Sequence, residues 1–98
     1  MSEQQSAIEI VHETEASRYE AHIDGALAGF ADYVDADGVR SFTHTEIDPA
    51  FGGRGVGSQL VDDALRSTIA EGKRIRPICS FVVARAKADE FAVHVVQR

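Results

Sequence analysis

Apolar and polar positions alternate with a period of two through the first half of the chain, and then the period changes. Ile8 and Ile10 open an extended run, and Glu13 to Ser17 reads as a turn. From Arg18 to Ile23 the residues Tyr19, Ala21 and Ile23 share one face of a strand. Asp24-Gly25 is a tight-turn dipeptide, so Leu27 to Val34 reads as the return strand of a hairpin. Asp35-Ala36-Asp37-Gly38 is a second turn, and Val39 to Ile47 is a further strand rich in β-favouring residues. Residues 1–6 are polar and read as a frayed end.

Pro49 stops this alternation. Gly52, Gly53, Gly55 and Gly57 follow within six residues, and the period becomes about 3.6. Val56, Leu60, Val61, Ala64, Leu65 and Ile69 then fall on one helical face, with Gln59, Asp62, Asp63 and Arg66 on the other. Asp62 and Arg66 are spaced for a supporting ion pair, and Gly72 sits where a helix ends. Ile75 to Ile78 reads as a short strand whose Pro77 suits an edge or a place where strands diverge. Ser80 is placed to cap a helix from Phe81 to about Lys87. Phe91 to Val96 reads either as a strand or as a last helical turn capped by Asp89. The order is β-β-β-β-α-β-α. It predicts an α/β (α+β) fold with antiparallel hairpins first, then a crossover helix and a parallel strand. The 98 residues suit a single domain spanning 1–98, with a core of about 7–90.

Sixteen acidic and ten basic residues leave a formal charge of -6. That balance argues against broad nucleic-acid binding and suits a cationic small-molecule or peptide amine, although solubility alone also accounts for it. Cys79 is the only cysteine, so no internal disulfide forms and a reducing, cytoplasmic setting is expected. No signal-peptide pattern and no apolar run of membrane-spanning length is present in the sequence. His12, His22, His44 and His94 are scattered without metal-ligand spacing, so no metal is expected. A monomer or weak dimer is anticipated.

The strongest chemical feature is Gly52-Gly53-Arg54-Gly55-Val56-Gly57, which joins a strand to the clearest helix. Glycines let a ligand approach the backbone, and the helix start offers unpaired amides and a positive dipole end. These suit phosphate oxygens, with Arg54 and the Ser58 hydroxyl as further contacts. A Walker-type loop is excluded because no lysine precedes Ser58. A dinucleotide fingerprint is excluded by glycine spacing and by the preceding meander. Four glycines in six residues are a costly way to make a mere turn.

That loop resembles the signature of the GNAT superfamily of acetyltransferases, Gln/Arg-x-x-Gly-x-Gly/Ala, with Gly52 where the signature has Gln or Arg. Three segments together resemble the short YjdJ-type branch of that superfamily. They are His44-Thr45-Glu46-Ile47, the glycine loop, and Pro77-Ile78-Cys79-Ser80-Phe81. The chain departs from the branch at its end, where Ala88-Asp89-Glu90-Phe91 replaces a His-Pro-Glu-Tyr-like stretch. The resemblance implies a minimal GNAT-like fold, a mixed and mostly antiparallel sheet whose parallel fourth and fifth strands splay. It implies acetyl-CoA (coenzyme A) as the acyl donor. The pantetheine arm would pair with the backbone at Ile47 and Asp48. The pyrophosphate would lie on Gly52, Gly53, Arg54, Gly55, Val56, Gly57 and Ser58, and the thioester near Cys79.

Acetyl transfer to an amine needs a base and a proton donor for the departing thiolate. Glu46 is the candidate base. Strand alternation places Phe42, His44 and Glu46 on one face, so His44 and Glu46 are expected to act together. Both also read as ordinary solvated strand residues. Cys79, between a strand end and a helix start, reads as acid, as nucleophile or as a packing residue. Many members of the superfamily use a tyrosine after the fifth strand. Tyr19 and Tyr33 come too early for that, and Phe81 near the place has no hydroxyl. Arg85 and Lys73 read first as surface charge. The function expected is direct N-acetylation in a ternary complex. Its alternative is an acyl-CoA-binding, sensing or protein-interaction module without turnover.

Overall fold

In the computed structural model, which describes residues 7–97, the alternating half of the chain forms four strands: β1 (Ile8–Glu13), β2 (Arg18–Ile23), β3 (Ala26–Ala36) and β4 (Val39–Ile47). The expectation for residues 1–6 lies outside the described residues. Asp24 and Gly25 both take positive φ, 52° and 83°, which matches the twist a two-residue hairpin requires. After a 3-10 turn at Pro49–Phe51 come α1 (Val56–Ala70), β5 (Arg74–Pro77), α2 (Ser80–Arg85) and α3 (Asp89–Ala92). The sheet order is β1-β2-β3-β4-β5, antiparallel except for the parallel β4–β5 pair. This is the mixed sheet that the sequence predicts.

Tyr19, Ala21 and Ile23 of β2 meet Leu60, Val61, Ala64 and Leu65 of α1, and all of them are buried. This is where the two periodicities interlock. The helices gather on one face of the sheet. The other face carries Arg18, Glu20, His22, Phe30, Asp32, His44 and Glu46, none of them buried.

Several local expectations are corrected. Ser80 is the first residue of α2 rather than its cap, which is Cys79, and α2 stops at Arg85. Asp62 does not pair with Arg66. Asp62 takes Arg85 in two hydrogen bonds of 2.9 and 2.6 Å, and Arg66 reaches Glu90 and Asp63. Arg85 is thereby committed to α1. The tail is both of the things expected of it. Ala88, not Asp89, caps the short α3, and Val95 then bridges Ile75 in parallel.

The main correction concerns β4. Its register against β3 slips at Thr43: Tyr33 pairs with Phe42, but Asp32 pairs with His44. A bulge of this kind adds one residue and reverses the alternation. Phe42 therefore faces the α1 core, whereas His44 and Glu46 lie on the opposite face. Thr45, opposite the buried Ala31, returns to the core side.

At the end of the sheet away from the glycine loop, Arg40 is 2% exposed. Its guanidinium donates to Asp35 at 2.7 and 2.8 Å, to Glu71 at 2.9 and 3.2 Å, and to the Tyr19 hydroxyl at 2.7 Å. It also sits 4.2 Å from the Tyr33 ring centroid. The Tyr19 hydroxyl donates to the Ser67 hydroxyl, and His12 stacks on Tyr19 and bonds the Tyr33 hydroxyl. The network ties β1, β2, β3 and β4 to the end of α1. Its hydrogen bonds to Arg40 hold the Asp35 and Glu71 carboxyls below their usual range, against an opposing effect of burial.

Depressed carboxylate pKa values contribute stability above the unfolded-state values, and that stability is lost as pH falls through the folded-state ones. Arg40→Met is therefore expected to cost about 1–2 kcal/mol at neutral pH, because it removes the charge-assisted partner of two partly exposed carboxylates and the donor to Tyr19. It should also flatten the loss of stability on acidification. Urea melts of both proteins from pH 7 down to pH 3 check this. Equal acid slopes in the two would overturn the assignment.

Candidate active site

The site begins where two parallel strands stop being neighbours. β4 and β5 pair at four positions only, from Val39↔Arg74 to Phe42↔Pro77. Pro77 lacks an N–H, but by alternation with Ile75, whose N–H goes to His94, that position faces the tail side of β5 rather than β4. The N–H groups of Ile78 and Cys79 then both donate to the Phe42 carbonyl, at 3.1 and 3.0 Å. Beyond that point the chain turns into α2, while β4 runs on to Ile47 paired with β3 alone. A wedge opens between them.

Hydrogen-bond alternation tells which β4 groups face the wedge. Asp48 donates to Ala28 at 2.8 Å, so Ala28 and Asp48 are a hydrogen-bonded pair of the β3–β4 ladder. Counting back by two, Ile47 and Thr45 are the non-bonded positions, and their N–H and C=O groups point into the wedge. Asp48 is different from Ile47. Its carbonyl accepts from Phe51, and its carboxylate accepts from Ala50 to cap the 3-10 turn. Its backbone is fully engaged, so Ile47 alone of the two expected backbone contacts is turned to the wedge.

At the mouth of the wedge stands the glycine loop. Gly53 and Gly55 have φ of 80° and 74°, with open space around both. These positive φ values are why glycine is needed there. Gly55 is the N-cap of α1 and has no side chain to cap with, and the first helical hydrogen bond comes only at Gln59. The amides of Val56, Gly57 and Ser58 therefore make a start that an anion can complete. Gly52 is extended and Val56 buries its side chain, so both contribute backbone only. The Arg54 guanidinium lies 5.4 Å from the Phe51 ring centroid on the exposed loop. Gly57 is needed for another reason. A Cβ there would stand 2.8 Å from the end of the Phe81 ring and 3.4 Å from the Ile47 side chain.

Inside the wedge Cys79 caps α2. Burial pushes its thiol up. The Thr45 hydroxyl and the backbone N–H groups of Val82, Phe81 and Thr45 outweigh that and leave it below its ordinary value. Thr45 is the residue that sequence reasoning passes over. Its Oγ1 is buried and, among the described residues, is the one such side-chain oxygen or nitrogen without a hydrogen-bond partner. It lies near enough to favour the Cys79 thiolate without bonding it in ordinary geometry. No sequence signal marks it, because its face depends on the bulge two residues earlier.

His44 and Glu46 stand on the other face of the sheet, with 3.3 Å between Nε2 and Oε2 and both side chains more than half exposed. They are brought together as expected but not with Phe42. Glu46 borders a cavity of about 550 Å³ with Leu27, Phe30, Ile47 and Pro49. A larger cavity of about 610 Å³ lies beyond β5, between α2 and the tail. Neither the glycine loop, His44, Glu46 nor Cys79 lines it, so it is set apart from the chemistry.

Residues 18–93 match the profile of a family described as GCN5-related N-acetyl-transferase. No curated protein matches. Solved structures share the fold at low identity. A GCN5-like protein from Staphylococcus aureus is 20% identical with a TM-score of 0.67, over 90% of this chain and 87% of its own. An aminoglycoside N-acetyltransferase solved with CoA is 23% identical with a TM-score of 0.52, over 82% of this chain. A GNAT-family protein from Desulfovibrio desulfuricans is 21% identical with a TM-score of 0.53, over 59% of this chain. This chain spans 59% of the aminoglycoside enzyme's length and 40% of the Desulfovibrio protein's.

The Cys79 environment has a direct readout. Thiolate absorbance near 240 nm should titrate below the ordinary cysteine range and disappear in Cys79→Ser. A titration at or above that range would show that the surrounding donors do not reach the sulfur.

Proposed function

This chain belongs to the GCN5-related N-acetyltransferase family, and from that premise we propose that it transfers an acetyl group from acetyl-CoA to a small-molecule or peptide amine. The observation that carries the reading is the wedge: an uncapped glycine-rich helix start at its mouth and free β4 backbone along its wall. The loop fits a pyrophosphate, because its amides converge without a competing side chain. The Ile47 N–H and C=O, turned into the gap, fit an amide-bearing pantetheine arm. The three segments that carry the sequence resemblance line this one feature, which suits the short YjdJ-type branch.

Acetyl-CoA supplies an activated acyl carbon. The remaining work falls to the chain's own residues. The amine nitrogen bonds to the acyl carbon, the carbon–sulfur bond breaks, and the amine proton passes to Glu46 directly or through water. Glu46 is on the helix-free face, so the amine approaches from the side opposite the glycine loop, through the cavity beside Phe30. Its carboxylate also favours a cationic acceptor before that acceptor loses its proton. His44, 3.3 Å away, is placed to pass the proton onward. Cys79 is the proton donor to the departing thiolate, since a thiol more acidic than usual gives its proton to another thiolate downhill. The same acidity would serve a nucleophile. One observation favours a second reading, binding without turnover: Phe81 rather than a tyrosine follows Cys79.

Calorimetry should detect acetyl-CoA binding to the wild type and none to Gly55→Asp, which puts a side chain and a negative charge into the loop. Glu46→Gln should bind acetyl-CoA normally and release thiol about a hundredfold more slowly with an accepted amine. Absence of acetyl-CoA binding to the wild type would overturn the proposal. Binding without thiol release on any of a panel of amines, polyamines and lysine peptides would assign the second reading.

A further inference from the structure

We propose that the Thr45 hydroxyl is kept unpaired for the thioester end of acetyl-CoA, donating a hydrogen bond to the oxygen or sulfur that gains negative charge there. The inference rests on the acetyl-CoA reading above and adds a residue to it. It starts from a cost. A buried hydroxyl without a partner is destabilising, and native proteins leave few of them. Thr45 Oγ1 is such a group, placed in the one part of the sheet where two strands separate.

The wedge is a blind alley. A chain anchored at the loop passes Ile47 first. Thr45 is the next residue whose backbone faces the gap, about 7 Å further along the strand. At Phe42 the alley is closed, because its carbonyl is held by both Ile78 and Cys79. Whatever end of the ligand travels deepest therefore stops between Thr45 and Cys79. The donors already converge there. The N–H groups of Thr45, Phe81 and Val82 and the Thr45 hydroxyl all favour negative charge on the Cys79 sulfur. Thr45 Oγ1 is buried there and makes no hydrogen bond of ordinary geometry to another described residue.

Thr45→Val removes the hydroxyl and keeps the shape. A structural role and a ligand role then predict different results. Acetyl-CoA and desulfo-CoA, which lacks the thioester, are titrated into wild type, Thr45→Val and Thr45→Ser by calorimetry. Thr45→Val should lose about three- to tenfold in acetyl-CoA affinity and keep its desulfo-CoA affinity. Thr45→Ser should keep both. The ligand-free melting temperature of Thr45→Val should equal or exceed that of the wild type, because an unsatisfied buried group is gone. Equal losses for the two ligands, no loss for either, or a lower melting temperature with both affinities unchanged would overturn the inference while leaving the acetyl-CoA reading in place. A wild type that binds neither ligand overturns both.

Discussion

One carbonyl oxygen decides the shape of this protein. Phe42 accepts from both Ile78 and Cys79, and that pair of hydrogen bonds is the last link between β4 and β5. Two local features act at the same level. Thr43 bulges β4 away from regular pairing, and Cys79 adopts the extended geometry of a helix cap. Each alone is a small irregularity. Together they end the pairing on one side of β4 and leave it intact on the other. β4 then projects to Ile47 with its outer polar groups turned to open space. Backbone groups in a sheet interior are otherwise satisfied almost without exception, so a stretch like this is a site by virtue of what it lacks.

The polar groups are divided accordingly between the two ends of the sheet. At the Arg40 end the guanidinium meets two carboxylates, a hydroxyl and a ring, and with His12 the network joins four strands to the end of α1. At the wedge end an uncapped helix, a strand edge and a buried hydroxyl wait together. The first end supplies the rigidity that lets the second remain unsatisfied. A glycine loop alone could not hold its amides in convergence without α1 pinned along the sheet, and the Arg40 network is what pins the far end of α1 through Glu71.

The parts legible in the sequence are those that neighbouring residues determine. The Asp24-Gly25 hairpin, the change of period at Pro49 and the α1 face depend on residues a few positions apart, and they stand where the pattern puts them. The glycine loop is legible for the same reason. Pairings that depend on register are not legible. Asp62 and Arg66 are well spaced within one helix, yet each finds a better-placed partner from α2 or α3, and nothing local records that choice. Arg40 reads as an ordinary strand cation until Asp35, Glu71, Tyr19 and Tyr33 are assembled around it. The face of Glu46 is the sharpest case. Alternation predicts that it accompanies Phe42, and one extra residue at Thr43 sends it to the opposite side.

That reversal matters for chemistry. Without the bulge, Glu46 would point into the same layer as the glycine loop and α1. With the bulge, carboxylate and loop lie on opposite sides of the sheet, at the end where β4 and β5 part. A carboxylate on one face, a glycine-rich helix start on the other and a gap in between is the arrangement that the proposed two-substrate reaction would use. It follows that β4 is more than a wall. Consecutive residues of it serve opposite sides: the Glu46 side chain stands on the helix-free face, while Thr45 and Ile47 turn their backbone into the gap.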